Sequence, residues 1–252
     1  MEKIQFGLIG YPLSHSFSKK YFDQKFAATS SSAPLSYALF PLAHISDLPE
    51  LLAAMPNLVG FNVTIPYKEK IIPYLSALSP EATAIGAVNV VVRHQNKLLG
   101  YNTDAIGFAQ SIQPLLRAHH TSALVLGNGG AAKAVCYVLQ QLGIHYTIVS
   151  RTPTSQQLHY AALLPALLQK NYLIINTTPL GMYPNVETAP EIPYEAISEK
   201  HILYDLVYNP AETLFLQKGK KQGAATQNGL EMLHLQAEAA WDIWQHKIPL
   251  YL

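Results

Sequence analysis

The chain has 252 residues, 49% of them hydrophobic and 13% charged, which is enough apolar material to bury the core of one large or two modest domains and too much for a disordered chain. Basic and acidic side chains, 17 against 16, nearly cancel to a formal charge of +1, so nothing supplies an electrostatic footprint for nucleic acid or an anionic membrane, and the expected partner is a small molecule. A single cysteine, Cys136, excludes an intramolecular disulfide framework and suits a reducing compartment, while the absence of a signal-like h-region or any run of about 18 apolar residues predicts a soluble, cytoplasmic protein.

From Lys3 the pattern alternates between strand and helix: a strand through Ile9, a helix over 17–27, a strand over 36–40, a helix over 45–54 and a strand over 59–65. This βαβαβ rhythm predicts a largely parallel sheet flanked by helices. A helical region over 73–85 is expected next, then a hairpin of 87–93 with 97–101, and a helix over 103–116 leading out of the unit. A second rhythm starts at Ala123: a buried strand, a tight Gly127-Asn128-Gly129-Gly130 turn, a helix over 131–142 closed by Gly143, and a strand over 146–149. It continues with a helix over 156–168, strands over 172–175 and 202–207, a helix over 212–219 and a long amphipathic helix over 230–246.

Two segments of the first unit carry chemistry. In GFNVTIPYKE the alternation of Phe61, Val63 and Ile65 reads as a strand and Pro66 as the first turn of a helix, which puts Lys68 beside a strand's carboxyl end, where ligands of open α/β sheets collect. A lysine there faces either a bound substrate or bulk water. In GYNTDAIGF, Asn102 or Thr103 is the expected N-cap, and Asp104 in the first turn is either an ordinary capping charge or the partner of that lysine.

The second unit carries a nucleotide signal. GNGGAA between a buried strand and an Ala-rich helix has the mechanics of a dinucleotide loop, with glycines for the turn and free amides facing a pyrophosphate, although an ordinary βα turn shares the pattern. The following strand ends Ser150-Arg151-Thr152 rather than in the carboxylate that would hold a free ribose 2′-hydroxyl, and a guanidinium there can pair with a 2′-phosphate. NADP is therefore expected over NAD. No HExxH or paired Cys/His spacing occurs among the scattered histidines, and no metal site is expected.

The ordered set SHSFS (14–18), NVTIPYKE (62–69), GAVN (86–89), YNTDAIGF (101–108), GNGGAAKA (127–134), NTTPLGM (176–182), DLVYNP (205–210) and GLEMLHLQA (229–237) resembles the shikimate dehydrogenase family over nearly the whole chain. The resemblance implies an α/β fold of two domains: a substrate domain with a mostly parallel sheet from 1–102 plus 229–252, and a Rossmann-like NADP domain from 103–228. It implies an NADP-dependent oxidoreductase that interconverts 3-dehydroshikimate and shikimate in aromatic amino acid biosynthesis, as a monomer or homodimer. The alternatives are a quinate/shikimate dehydrogenase with relaxed cofactor use and a non-catalytic shikimate-binding paralogue. Carried over by position, the catalytic pair falls on Lys68 and Asp104. Ser14 and Ser16 would take the substrate carboxylate, and Asn62, Thr64, Asn89, Tyr208 and Gln236 would line the rest of the substrate. Gly127, Asn128, Gly129, Gly130 and Ala131 would hold the pyrophosphate, Ser150, Arg151 and Thr152 the 2′-phosphate, and Thr178, Met182, Gly229 and Met232 the nicotinamide. Two positions depart from the pattern: Lys19 stands where many members have proline, and Pro153-Thr154-Ser155 lacks a second arginine often found there.

Overall fold

The computed structural model describes residues 3–13, 16–31, 33–95 and 97–248. The chain divides into two compact units, one formed by residues up to Thr103 together with those from Ala237 onward, the other by Asp104–Gln236.

The first unit contains β1 (Ile4–Gly10), α1 (Phe17–Ala28), β2 (Leu35–Pro41), α2 (Leu48–Ala54), β3 (Leu58–Val63), β4 (Ala77–Leu78), α3 (Pro80–Ile85), β5 (Val90–His94) and β6 (Lys97–Tyr101). Its six-stranded sheet runs β2-β1-β3-β5-β6-β4. The β1, β2 and β3 pairings are parallel, whereas β5 is antiparallel to both β3 and β6. Strand alternation sends Phe6 and Leu8 into one core with Phe22, Phe26, Tyr37 and, from the chain's last helix, Trp241 and Trp244. Ile9, Phe61 and Val63 pack on the other face with Leu48, Tyr67 and Ile71.

The second unit contains α4 (Asp104–Ile112), β7 (Ser122–Leu126), α5 (Gly130–Gln141), β8 (His145–Ser150), β9 (Leu158–His159), α6 (Pro165–Leu168), β10 (Leu173–Asn176), β11 (Ile202–Asp205), α7 (Leu214–Lys221), β12 (Ala225–Gln227) and the start of α8 (Leu230–Lys247). All of its sheet pairings are parallel, in the order β12-β11-β10-β7-β8-β9. This is the doubly wound order, with its reversal between β7 and β10. No helix among the described residues is long and apolar enough to cross a membrane.

Three expected elements differ. Residues 64–71 are turns rather than a helix opened by Pro66, because the Lys68 carbonyl accepts from Val88 N–H at 2.7 Å and is withdrawn from any helical ladder. The helix expected over 73–85 is a 3₁₀ turn, the short β4 and α3, the last capped by Ser79 Oγ accepting from Ala82 N–H. The helix expected over 156–168 is replaced by the edge strand β9, a 3₁₀ turn and α6, because Leu158 and His159 pair with Val149 and Ser150.

Candidate active site

In the first unit, β1 and β3 end and antiparallel β5 begins at one edge of the sheet, since Asn62 is registered with Val90 and Val90 with Tyr101 at the end of β6. That edge therefore gathers Asn62, Asn89, Asn102 and Thr103, all buried. Their amides are tied together. Asn62 Oδ1 accepts from Tyr37 Oη at 2.7 Å, and its Nδ2 donates to Asn89 O at 3.2 Å. Asn89 Oδ1 accepts from Thr103 N–H at 2.7 Å, while its Nδ2 donates to Thr103 Oγ1 at 3.0 Å. Asn102 Nδ2 donates to Ala87 O at 2.9 Å. Thr64, just past β3, is pinned to β1 by its N–H on Ile9 O at 2.9 Å. Half-buried Lys68 follows in the turn anchored by Val88, the residue before Asn89.

Ser14 lies outside the described residues. Ser16 occupies the N-cap of α1 with extended backbone but makes no capping bond, and its Oγ is buried with no partner among the described residues. A serine at a helix start normally spends its hydroxyl on the helix's own N–H groups, so this one is left for something else. Lys19 pairs with Asp23 on the exposed side of α1.

In the second unit, Asp104 is the buried first residue of α4. The Gly127 N–H donates to Val149 O at 2.8 Å, and Gly127 takes φ +114° against Thr177, whose Oγ1 in turn donates to Leu126 O at 2.7 Å. The glycine loop is thus stitched to the end of β10 across the strand reversal. Gly129 caps α5 with φ −83°, and a Cβ placed there would meet nothing within 4 Å among the described residues. Asn128 is exposed, and Gly130 and Ala131 open the helix. Ser150 is buried with its Oγ accepting from Thr152 N–H at 3.2 Å, which curls the chain so that Arg151 and Thr152 are exposed.

Beyond β10, Asn176 organises the next loop: its Oδ1 accepts from Thr178 Oγ1 at 2.6 Å and from Thr178 N–H at 3.0 Å. Met182 is exposed and Met232 buried. Gly229 is buried so closely on Leu206 that a Cβ would overlap the Leu206 carbonyl. Tyr208 and Gln236 are half-buried, Gln236 donating to Leu233 O at 2.9 Å. The buried Asp205 was outside the predicted site. It accepts from Asn176 Nδ2 at 2.9 Å, Val207 N–H at 3.0 Å and Thr213 Oγ1 at 2.5 Å, yet desolvation outweighs these bonds and pushes its carboxyl up to about 6.

The residues present suit a dinucleotide. Open space at Gly129, free amides at the start of α5 and an exposed guanidinium after β8 are what a pyrophosphate and an adenosine 2′-phosphate require. A doubly wound nucleotide unit joined to a second α/β unit edged with amides and a lysine defines a nicotinamide-dependent oxidoreductase. The family profile described as shikimate dehydrogenase substrate binding domain matches residues 8–91. The shikimate dehydrogenase (NADP(+)) of Nostoc sp. is 40% identical, covering 97% of this chain and 92% of that one. Its counterpart from Carboxydothermus hydrogenoformans is 38% identical over 96% of this chain and 92% of its own. The shikimate 5-dehydrogenase of Thermus thermophilus, solved with NADP(H) and shikimate, superposes with a TM-score of 0.83 at 32% identity, covering 98% of this chain and 95% of that one. The chain belongs to the shikimate dehydrogenase family.

Proposed function

We propose that this protein is a cytoplasmic enzyme that catalyses the reversible NADPH-dependent reduction of 3-dehydroshikimate to shikimate in aromatic amino acid biosynthesis. The observation that carries the reading is the bond from Val88 N–H to Lys68 O, which holds the lysine's backbone one residue from Asn89 on the edge that also presents Asn62. A substrate with several hydroxyls needs many neutral donors and acceptors, and a site that bonds each of them rejects analogues lacking one, because its own polar groups would be left unpaired. Asn62 and Asn89 are fixed by their internal bonds before substrate arrives, so little ordering cost falls on binding. The Ser16 hydroxyl, unspent on its helix, is assigned to the substrate carboxylate, and Ser14 is proposed to act with it. Thr64, Tyr208 and Gln236 complete the proposed substrate contacts.

When bound, the cofactor supplies a hydride to the carbonyl carbon. Lys68 meets the negative charge that then develops on the carbonyl oxygen, donates a proton from its ammonium, and takes it back as base in the oxidative direction. Asp104 accepts a hydrogen bond from a substrate hydroxyl. The loop over 127–131 receives the pyrophosphate, and Ser150, Arg151 and Thr152 receive the 2′-phosphate. Thr178, Met182, Gly229 and Met232 are assigned to the nicotinamide end.

The test is the initial rate of shikimate oxidation, followed by nicotinamide absorbance, with NADP⁺ and NAD⁺ compared and Lys68→Ala run beside the parent. The expected result is strong preference for NADP⁺ and a Lys68→Ala loss that falls far more on kcat than on KM. Comparable rates with NAD⁺ would reassign the enzyme as a quinate/shikimate dehydrogenase, and no rate with either would mark a binding protein.

A further inference from the structure

The loop that follows β8 is short and carries no helix before the chain returns as β9, the edge strand of its sheet. From Ser150 to His159 the sequence is SRTPTSQQLH, so the basic side chains available to an anion there are Arg151 and His159. A phosphate monoester carries a charge of about −1.5 to −2 near neutrality and offers three acceptor oxygens, more than one guanidinium satisfies.

His159 is registered with Ser150 across the parallel β8–β9 pair. Registered residues on neighbouring strands project to the same face, and the strands stand about 4.8 Å apart, so the imidazole starts beside the Ser150 side chain at the carboxyl edge of the sheet. Its Nδ1 accepts from Ala161 N–H at 3.1 Å, which leaves Nε2 as the ring's N–H donor, turned away from the backbone bond. The residue is exposed. Gln157, by contrast, has its Oε1 engaged by Thr154 N–H at 3.3 Å and Asn128 Nδ2 at 3.4 Å.

We infer that His159 is a second donor to the adenosine 2′-phosphate, through Nε2–H, and that it shares with Arg151 the discrimination of NADP from NAD. The inference rests on the proposed reading of 150–152 as the 2′-phosphate loop.

The experiment compares inhibition of the holoenzyme reaction by 2′,5′-ADP and by 5′-AMP in the parent, His159→Asn, His159→Gln and Arg151→Ala. Asparagine keeps an acceptor for Ala161 N–H and removes the distal donor, and glutamine restores a distal N–H. His159→Asn is expected to raise the Ki of 2′,5′-ADP and the KM of NADP⁺ about tenfold, the scale of one hydrogen bond to a charged group, while the Ki of 5′-AMP, the KM of NAD⁺ and kcat stay within about twofold. His159→Gln is expected to recover a large part of that loss. Equal effects on both inhibitors, or none, overturn the inference. If Arg151→Ala alone weakens 2′,5′-ADP, the loop reading stands and the role of His159 falls; if neither variant does, both fall.

Discussion

Asn176 Nδ2 donates to Asp205 Oδ1 at 2.9 Å, joining the last residues of two adjacent parallel strands where both are wholly buried. Through its other amide atom Asn176 holds Thr178, and through its other oxygen Asp205 holds Thr213. The loop after β10, proposed to border the nicotinamide, and the loop after β11, which carries Tyr208, are therefore set by one shared polar cluster rather than by packing alone. Asp205→Ala would strand the Asn176 amide, the Val207 N–H and the Thr213 hydroxyl without water, and the expected loss is about 3 to 5 kcal/mol from the sum of unsatisfied groups. Asp205→Asn keeps an acceptor at Oδ1, and its loss should stay under about 1.5 kcal/mol. Urea denaturation of the two variants measures the difference, and equal losses would show that the cluster's bonds are not what holds it.

The same carboxyl gives a pH signature. Its folded value of about 6 lies above the unfolded one, so the folded state binds the proton more tightly, and this contribution to stability is present at low pH and lost as pH rises from about 4 through 6. Asp205→Asn cannot ionise. The stability difference between parent and variant should therefore shift in the variant's favour, by up to roughly 3 kcal/mol, as pH is raised from 4 to 7.

At the opposite edge of that sheet two histidines act with the other sign. His120 Nδ1 accepts from Arg117 N–H at 2.8 Å, and its Nε2 lies 3.1 Å from Lys200 O; His201 Nδ1 accepts from Ser198 N–H at 3.0 Å, and its Nε2 lies 3.1 Å from Leu168 O. Each ring is held in its neutral Nε2–H form, and a second proton must break the bond at Nδ1. Burial lowers both values, aided at His120 by His119, Arg117 and His201, and opposed at each ring by its backbone bonds and at His201 also by Glu199. Folded values below the unfolded one mean stability that is full above about 6.5 and lost as pH falls through the folded values. Replacing His201 with Gln should flatten the acid side of the stability profile while lowering its plateau. An unchanged acid limb would remove His201 from the account.

Gly60 and Trp244 meet in the core of the first unit. Trp244 Nε1 donates to Val91 O at 3.1 Å, and a Cβ on Gly60 would sit 2.6 Å from that nitrogen. The ring is packed among Phe6, Phe22 and Tyr37 and has no room to retreat. Gly60→Ala should cost about 2 to 3 kcal/mol by overpacking and break the indole bond, seen as a lower urea midpoint and altered tryptophan emission. A near-neutral result would mean the last helix can shift to accommodate one methyl group.

How far the sequence could be read depends on where each residue's hydrogen bonds go. Strands β1 to β3 and the β7–α5 turn were legible because their apolar alternation and glycines answer to local rules. The turns at 64–71 were not, because the deciding bond joins Lys68 to Val88, twenty positions away. β9 and β12 are too short, at two and three residues, to carry a period, and both exist only because a neighbouring strand pairs with them. The site shows the same division. Lys68 and Arg151 were legible as chemistry beside strand ends and Asn62 through the family resemblance, whereas Tyr37 and Asp205, which orient Asn62 and Asn176, read in the sequence as ordinary strand residues.

Two glycines of one loop should respond oppositely to the same substitution. Gly127 has φ +114°, where a side chain strains the backbone, and its Cβ would lie 2.5 Å from Thr177 Oγ1, so Gly127→Ala should destabilise the fold by about 2 kcal/mol before any ligand is considered. Gly129 has φ −83° and open space around its Cβ position, so alanine there breaks nothing in the protein and should change stability by less than about 1 kcal/mol. If the open space is where the pyrophosphate lies, the added methyl group must still be felt by the cofactor. Gly129→Ala should raise the KM of NADP⁺ by at least about tenfold, since a methyl group would hold the phosphate off the helix amides. Thermal melts without cofactor, set beside NADP⁺ titrations, separate the two effects. A Gly129→Ala protein that melts and binds like the parent would remove the pyrophosphate from the start of α5.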